Sequence, residues 1–126
     1  MKKYIGLGAA MLAGVAIGAT AVNSLFAQAK PGAYVIVDIS EVTNADLFKT
    51  LLPKAPGAVQ AFNGQFVART EKITALDGAA SKRFIIISFD SVDKAKAWND
   101  SAAQKEVNDI RIKSTKSRSF IVDGAM

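Results

Sequence analysis

The stretch KAKAWNDSAAQ (Lys94–Gln104) holds the chain's one tryptophan, Trp98, followed directly by Asn99, Asp100 and Ser101. Such an indole either walls a ligand pocket or anchors a core, where it buries roughly 200 Å² and needs a partner for its N–H. A second group assembles only on folding. If Leu76 and Ser81 close a turn over Asp77–Ala80, pairing outward from them sets Arg69 opposite Ser88. A third strand antiparallel to the first then brings Ser88 to Tyr34. Tyr34, Arg69 and Ser88 would form a polar cluster in an apolar sheet. A buried guanidinium costs several kcal/mol unless paired, so Arg69 would seek an anion such as a ligand carboxylate. The plainer alternative is an edge-strand arginine in solvent. Tyr34, Arg69, Ser88 and Trp98 are thus the candidate ligand-binding residues.

Other charged groups carry less chemistry. Asp38 and Asp90 each stand at an expected strand end, where a carboxylate serves as a turn former as readily as an acid or base. Arg111–Ser119, RIKSTKSRS, carries four basic residues among hydroxyls. It could meet a phosphate or anionic lipid, but it also reads as a basic helix end running into a charge-protected edge strand. The chain has no histidine and no cysteine. It therefore lacks the commonest general base, the commonest transition-metal ligand, a thiol nucleophile and any disulfide. No catalytic residue is assigned, and neither a metal nor a cofactor is expected.

The N-terminus reads as a targeting segment. Lys2 and Lys3 precede an uncharged run from Tyr4 to Val22, and Ala27-Gln28-Ala29 fits the small-x-small cleavage pattern. Residues 1–29 are expected to be a signal peptide and 30–126 the mature domain, exported to the periplasm or beyond. If cleavage fails, the run is nearly long enough to anchor the chain in a bilayer. The mature portion has fourteen basic and eleven acidic residues, a net +3. That mild balance argues against a nucleic-acid partner, which needs a concentrated basic face.

The elements that must position these groups follow in order. AYVIVDIS (Ala33–Ser40) is an apolar, β-branched strand. Thr43, with Asp46 three residues on, predicts a helix N-cap, and Leu47, Leu51, Leu52, Ala55, Val59 and Phe62 recur at helical spacing. Pro53 and Pro56 forbid one straight helix, so a kink or two short helices are expected. Asn63-Gly64 ends the segment, with Gly64 suited to the left-handed stop. QFVARTEKITAL and SKRFIIISFD flank Asp77-Gly78 as a hairpin. Ser91 caps the next helix, Ser101 with Gln104 restarts it, and Ala103, Val107 and Ile110 form its buried stripe. A short final strand, SRSFIVDG, completes β-α-β-β-α-β.

That order predicts an α+β, ferredoxin-like antiparallel sandwich with both helical segments on one face. The strands YVIV and FIIISF are nevertheless apolar on both faces. One chain's helices cover only one of them, and a bare apolar face of that size is not tolerated by most monomers. A second copy is the expected cover, through either the Tyr34/Ile36 or the Val35/Val37 face.

Residues 31–124 resemble the small bacterial family catalogued as domain of unknown function 1330, in the dimeric α+β barrel group. The resemblance is carried by Gly32–Val37, Asn63–Arg69, Leu76-Asp77-Gly78, Arg83–Phe89 with Ser91, Ala97-Trp98, Ser101, Arg111 and Ile121–Gly124. It implies a homodimer whose two sheets pack together. The wider group includes cofactor-free oxygenases, isomerases and haem-degrading enzymes, but fold does not carry activity over. The family's tyrosines in the first and last helices are matched here by Phe48 and Gln104, so any acid–base role they hold has no carrier in this chain. The sequence thus favours binding of a small apolar or aromatic molecule between sheet and helices. A cofactor-independent enzyme on the same pocket and a ligand-free envelope protein are the alternatives.

Overall fold

The computed structural model describes residues 32–125, and the expected signal peptide with its cleavage site lies outside them. Within those residues the order is β1 (Ala33–Val42), α1 (Ala45–Lys49), α2 (Ala55–Ala61), β2 (Gln65–Thr70), β3 (Arg83–Phe89), α3 (Val92–Asp100), α4 (Ala102–Ser114) and β4 (Thr115–Asp123). The strands form one antiparallel sheet in the order β2-β3-β1-β4. This is the expected ferredoxin-like architecture, with each helical segment in two pieces.

Both breaks have local causes. Pro53 separates α1 from α2, and Pro56 falls in the first turn of α2, where a missing N–H leaves no bond unmade. Ser101 ends α3 and caps α4, donating its hydroxyl to Trp98 O (2.7 Å) and accepting from Gln104 N (3.2 Å). Ser91 caps α3 through Lys94 N (3.1 Å) as expected. The first cap is displaced by one residue. Asn44, not Thr43, accepts from Leu47 N (3.1 Å), while the Thr43 N–H is taken by Ser114 O (2.8 Å). The left-handed stop after α2 also belongs to Asn63 (φ 59°) and not to Gly64. Gly64 is needed for space: a Cβ there would come within 2.8 Å of Val59 and 2.7 Å of the Phe89 ring.

Strand alternation sorts the sheet. In β1, Ala33, Val35, Val37 and Ile39 are buried, while Tyr34, Ile36 and Asp38 between them are half-buried. The buried set faces the helices and packs with Phe48, Leu51, Val59, Ile87, Phe89, Ala95, Trp98 and Val107. The register places Phe84, Ile86, Phe120 and Val122 beside the other set. The Val35/Val37 face is therefore covered within the chain, and the Tyr34/Ile36 face is the open one. In α4 the expected stripe is rotated: Ala103 is exposed and Gln104 is buried in its place, with Val107 and Ser114.

The tight hairpin is not formed. Thr70 ends β2 by accepting from Lys72 N (2.9 Å), and β3 begins only at Arg83. Residues that would have extended β3 are held by β1 instead. Lys82 N donates to Ile39 O (2.8 Å), and Ser81 Oγ donates to Asp38. A bulge at Val67, between the Phe66–Ile87 and Ala68–Ile86 pairs, shifts the β2–β3 register. Gln65 thereby faces Ser88, and Arg69 faces Ile85.

Candidate functional site

Between the helices and the sheet lies a cavity of about 60 Å³. Its floor is Val37 and Ile39 of β1 with Ile85 and Ile87 of β3. Phe66 closes one side, and Phe48, Leu51, Ala55, Val59 and Val107 form the roof. Leu52 and Arg69 are exposed and mark the mouth. The salt bridge Lys54–Glu106 (3.3 Å) links the start of α2 to α4 above it.

Five polar residues border this apolar chamber: Arg69, Arg83, Gln104, Asn108 and Arg111. Arg69 lies over the Phe66 ring, its guanidinium carbon 4.4 Å from the centroid. Arg83 meets Glu71 at 3.7 Å, a loose pair with an exposed carboxylate. Arg111 donates to Ser117 Oγ (2.8 Å), and burial holds its pKa below the usual guanidinium value through desolvation. It remains charged at ordinary pH. Among the described residues no carboxylate reaches ion-pair distance of Arg69 or Arg111.

Gln104 is the most enclosed of the five, 4% exposed. Its Nε2 donates to Asn108 Oδ1 (2.9 Å), and Asn108 Nδ2 donates to Asn99 Oδ1 (2.9 Å). This amide relay runs inward from the surface and ends at Gln104 Oε1, which is sealed from solvent and has no hydrogen-bond partner among the described residues. Chemically the chamber offers an apolar cage, to which the bordering arginine and amide residues contribute little polar surface.

The predicted site residues are distributed differently. Tyr34 and Ser88 are paired neighbours, as expected, on the open face. Arg69 is exposed and, through its pairing with Ile85, on the opposite face at the cavity mouth. The Tyr34–Arg69–Ser88 cluster is therefore not assembled; the Val67 bulge and the early end of β2 disperse it. Trp98 is 3% exposed, with its ring centroid 5.2 Å from that of Phe89, and it does not line the cavity. It packs as a core residue against Phe89 and also borders a second, more open pocket with Asn99, Asn108 and Arg111, and among the described residues its Nε1 has no partner. Asp38 stands within β1 and not at its end, and its Oδ2 accepts from Arg118 Nε at 3.4 Å. Arg111 belongs to the chamber and not to a solvated helix end. Arg83 and Asn108 escaped sequence reasoning as a site because polar residues on helices and strand ends read as surface, and Arg111 reads as a candidate only within the basic stretch Arg111–Ser119. One signal did point there: Phe48 and Gln104, which stand at the family's tyrosine positions, both line the chamber.

A family model described as "Domain of unknown function (DUF1330)" matches residues 32–125. No curated protein matches the chain. Among solved structures, a protein of unknown function from Rhodopseudomonas palustris is similar, with TM-score 0.62 and 12% identity over 83% of this chain and 92% of that one. SnoaB, a cofactor-independent oxygenase from Streptomyces nogalater, gives TM-score 0.55 and 10% identity over 76% and 95%. A dimeric ferredoxin-like protein of unknown function from Thermobifida fusca gives TM-score 0.54 and 13% identity over 75% and 92%. At these identities the likeness is one of fold.

Proposed function

The chain belongs to the DUF1330 family, and we propose that its folded domain is a binding module. On this reading an exported homodimer holds a small apolar or aromatic molecule between the helices and sheet of each copy. The observation that carries it is the chamber itself, an apolar cage between floor strands and helical roof. An enzyme on the same chamber would share the fold of the Streptomyces oxygenase. The lining residues, however, are aliphatic and aromatic side chains, amides and guanidiniums, none of which exchanges a proton readily near neutral pH.

Dimerisation is supported by the open Tyr34/Ile36 face and by the dimeric state of the Thermobifida neighbour. Export is supported by the basic, apolar and small-x-small series of residues 1–29. Protein recovered from the exported fraction is expected to begin at Lys30 by intact mass. Full-length chain in the membrane pellet would replace export by anchoring.

A thermal-shift screen with small aromatic and aliphatic compounds tests the binding reading. Stabilisation by an apolar probe, lost on Val59→Trp in the roof, is the expected result. No shift from any probe would leave the ligand-free envelope protein as the better reading. Turnover of a bound probe would move the assignment to the enzyme.

A further inference from the structure

Between α4 and the edge strand β4 lies a second cavity, a groove of about 430 Å³, which is within the range of small-molecule sites. Val35 and Ile121, paired neighbours on the helix-covered face of the sheet, form its floor with Trp98. Ile112 and Phe120, 65% and 40% exposed, make an apolar rim. Asn99, Asn108, Arg111 and Ser119 give it a polar wall that the chamber lacks. Arg111 is the group the fold leaves unmatched. A guanidinium carries five N–H donors. Here Nη1 donates to Ser117 Oγ (2.8 Å), and the remaining donors have no acceptor among the described residues. They are not sealed, because only Trp98 Nε1 and Gln104 Oε1 are both buried and unpartnered among those residues. The chamber has little polar surface, so the accessible part of this guanidinium belongs to the groove. No acidic residue lines the groove, and nearby Asp109 is held by Lys113 (3.0 Å). A half-buried cation without a counter-charge is a cost that a bound anion removes.

We infer that this groove is a second binding site, separate from the chamber, for a small organic carboxylate whose charge is taken by Arg111 and whose apolar body rests on Ile112 and Phe120. The planar fork of a guanidinium matches a carboxylate with two parallel N–H···O bonds. Asn99 Nδ2 and the Ser119 hydroxyl have no partner among the described residues, so both can donate to the ligand's remaining polar atoms. The floor residues Val35 and Ile121 lie on the face opposite Tyr34 and Ile36. Pairing of two copies through the open face therefore takes none of that floor.

Trp98 is the chain's one tryptophan and stands at the groove floor, so a single indole peak in a proton–nitrogen correlation spectrum reports on the site. The probes are benzoate, its neutral isostere benzamide, and acetate, each titrated into nitrogen-labelled protein. Benzoate is expected to move the peak saturably and to bind about fivefold or more tightly than benzamide, as the difference between a charged and a neutral hydrogen-bonding partner requires. That advantage should shrink as salt rises. Acetate, which lacks the apolar body, should bind more weakly than benzoate. Arg111→Gln should abolish the preference for benzoate over benzamide. Asn99→Asp keeps the acceptor for Asn108 and sets a fixed carboxylate in the groove, so it should weaken benzoate more than benzamide. Asn99 is exposed and does not line the chamber, so this variant tells the groove from the chamber and carries the test alone if Arg111→Gln fails to fold. An indole peak that benzoate does not move overturns the inference. Equal binding of benzoate and benzamide, equal binding of benzoate and acetate, or a benzoate response unchanged in Asn99→Asp also overturns it.

Discussion

Gln104 has an amide sealed to 4% exposure with one oxygen unpartnered, and such an atom costs about 1–3 kcal/mol in a fold that has no use for it. Gln104→Leu is therefore expected to hold or raise the melting temperature, because the half-buried Asn108 it releases can turn to water. A loss above about 1 kcal/mol by chemical denaturation would show that the amide relay is structural. Trp98→Ala has the opposite expectation, a loss of about 3–5 kcal/mol, because it empties a core site beside Phe89. Trp98→Phe should cost less, since it keeps an aromatic contact and removes an N–H that has no partner. Sequence could state both options for Trp98, but only packing decides between them. Gln104 is visible in the sequence as half of a capping box and as the residue at a family tyrosine position, and neither shows that its amide is buried.

Capping was the best-read feature at the scale of elements. Ser91 and Ser101 act where a hydroxyl precedes a helical run, a local rule needing no tertiary information. Ser101 does two jobs, closing α3 onto Trp98 O and opening α4 at Gln104 N, so it fixes where the two helices meet. Ser101→Ala is expected to destabilise by about 1 kcal/mol in denaturant titration and to weaken binding of any chamber ligand. Ser101→Asp should recover the cap but not the bond to Trp98 O. Gly64→Ala should cost about 1–3 kcal/mol by overpacking, because the new methyl would press on Val59 and the Phe89 ring. The β2–β3 connection was the least legible. Asp77-Gly78 is a genuine turn signal, and Gly78 does adopt φ 76°, yet strand pairing does not extend to it. Lys82 and Ser81 are drawn to Ile39 and Asp38, a competition invisible to any rule that reads neighbours along the chain. The Val67 bulge arises from the same long-range pairing, and it moved Arg69 off the face where sequence counting had set it.

Strands apolar on both faces are the sequence feature that bears on the whole molecule. Helices cover Val35, Val37 and Ile39, and the complementary face keeps Tyr34, Ile36, Phe84, Ile86, Phe120 and Val122 together, with Phe120 still 40% and Val122 39% exposed. Sequence could not choose between these faces, since alternation assigns residues to sides without saying which side the helices take. Arg118 and Asp38, paired at 3.4 Å near one end of the open face, leave its centre apolar. Ile86 on β3 and Ile36 on β1 are direct partners at that centre. Ile86→Asp separates the possibilities sharply. In a monomer the position is half-buried with a free side, so a carboxylate can turn to water and should change stability by less than about 1 kcal/mol. In a face-to-face dimer it places two unpaired carboxylates near the two-fold axis, where breaking a core-like interface of roughly 2,000 Å² is the cheaper outcome. Sedimentation equilibrium should therefore show a dimer for the wild type at micromolar concentration. The variant should give a monomer that binds an apolar dye on the freed sheet. A wild type that sediments as a stable monomer without binding the dye would mean the open face needs no second copy, and the covering argument would fail.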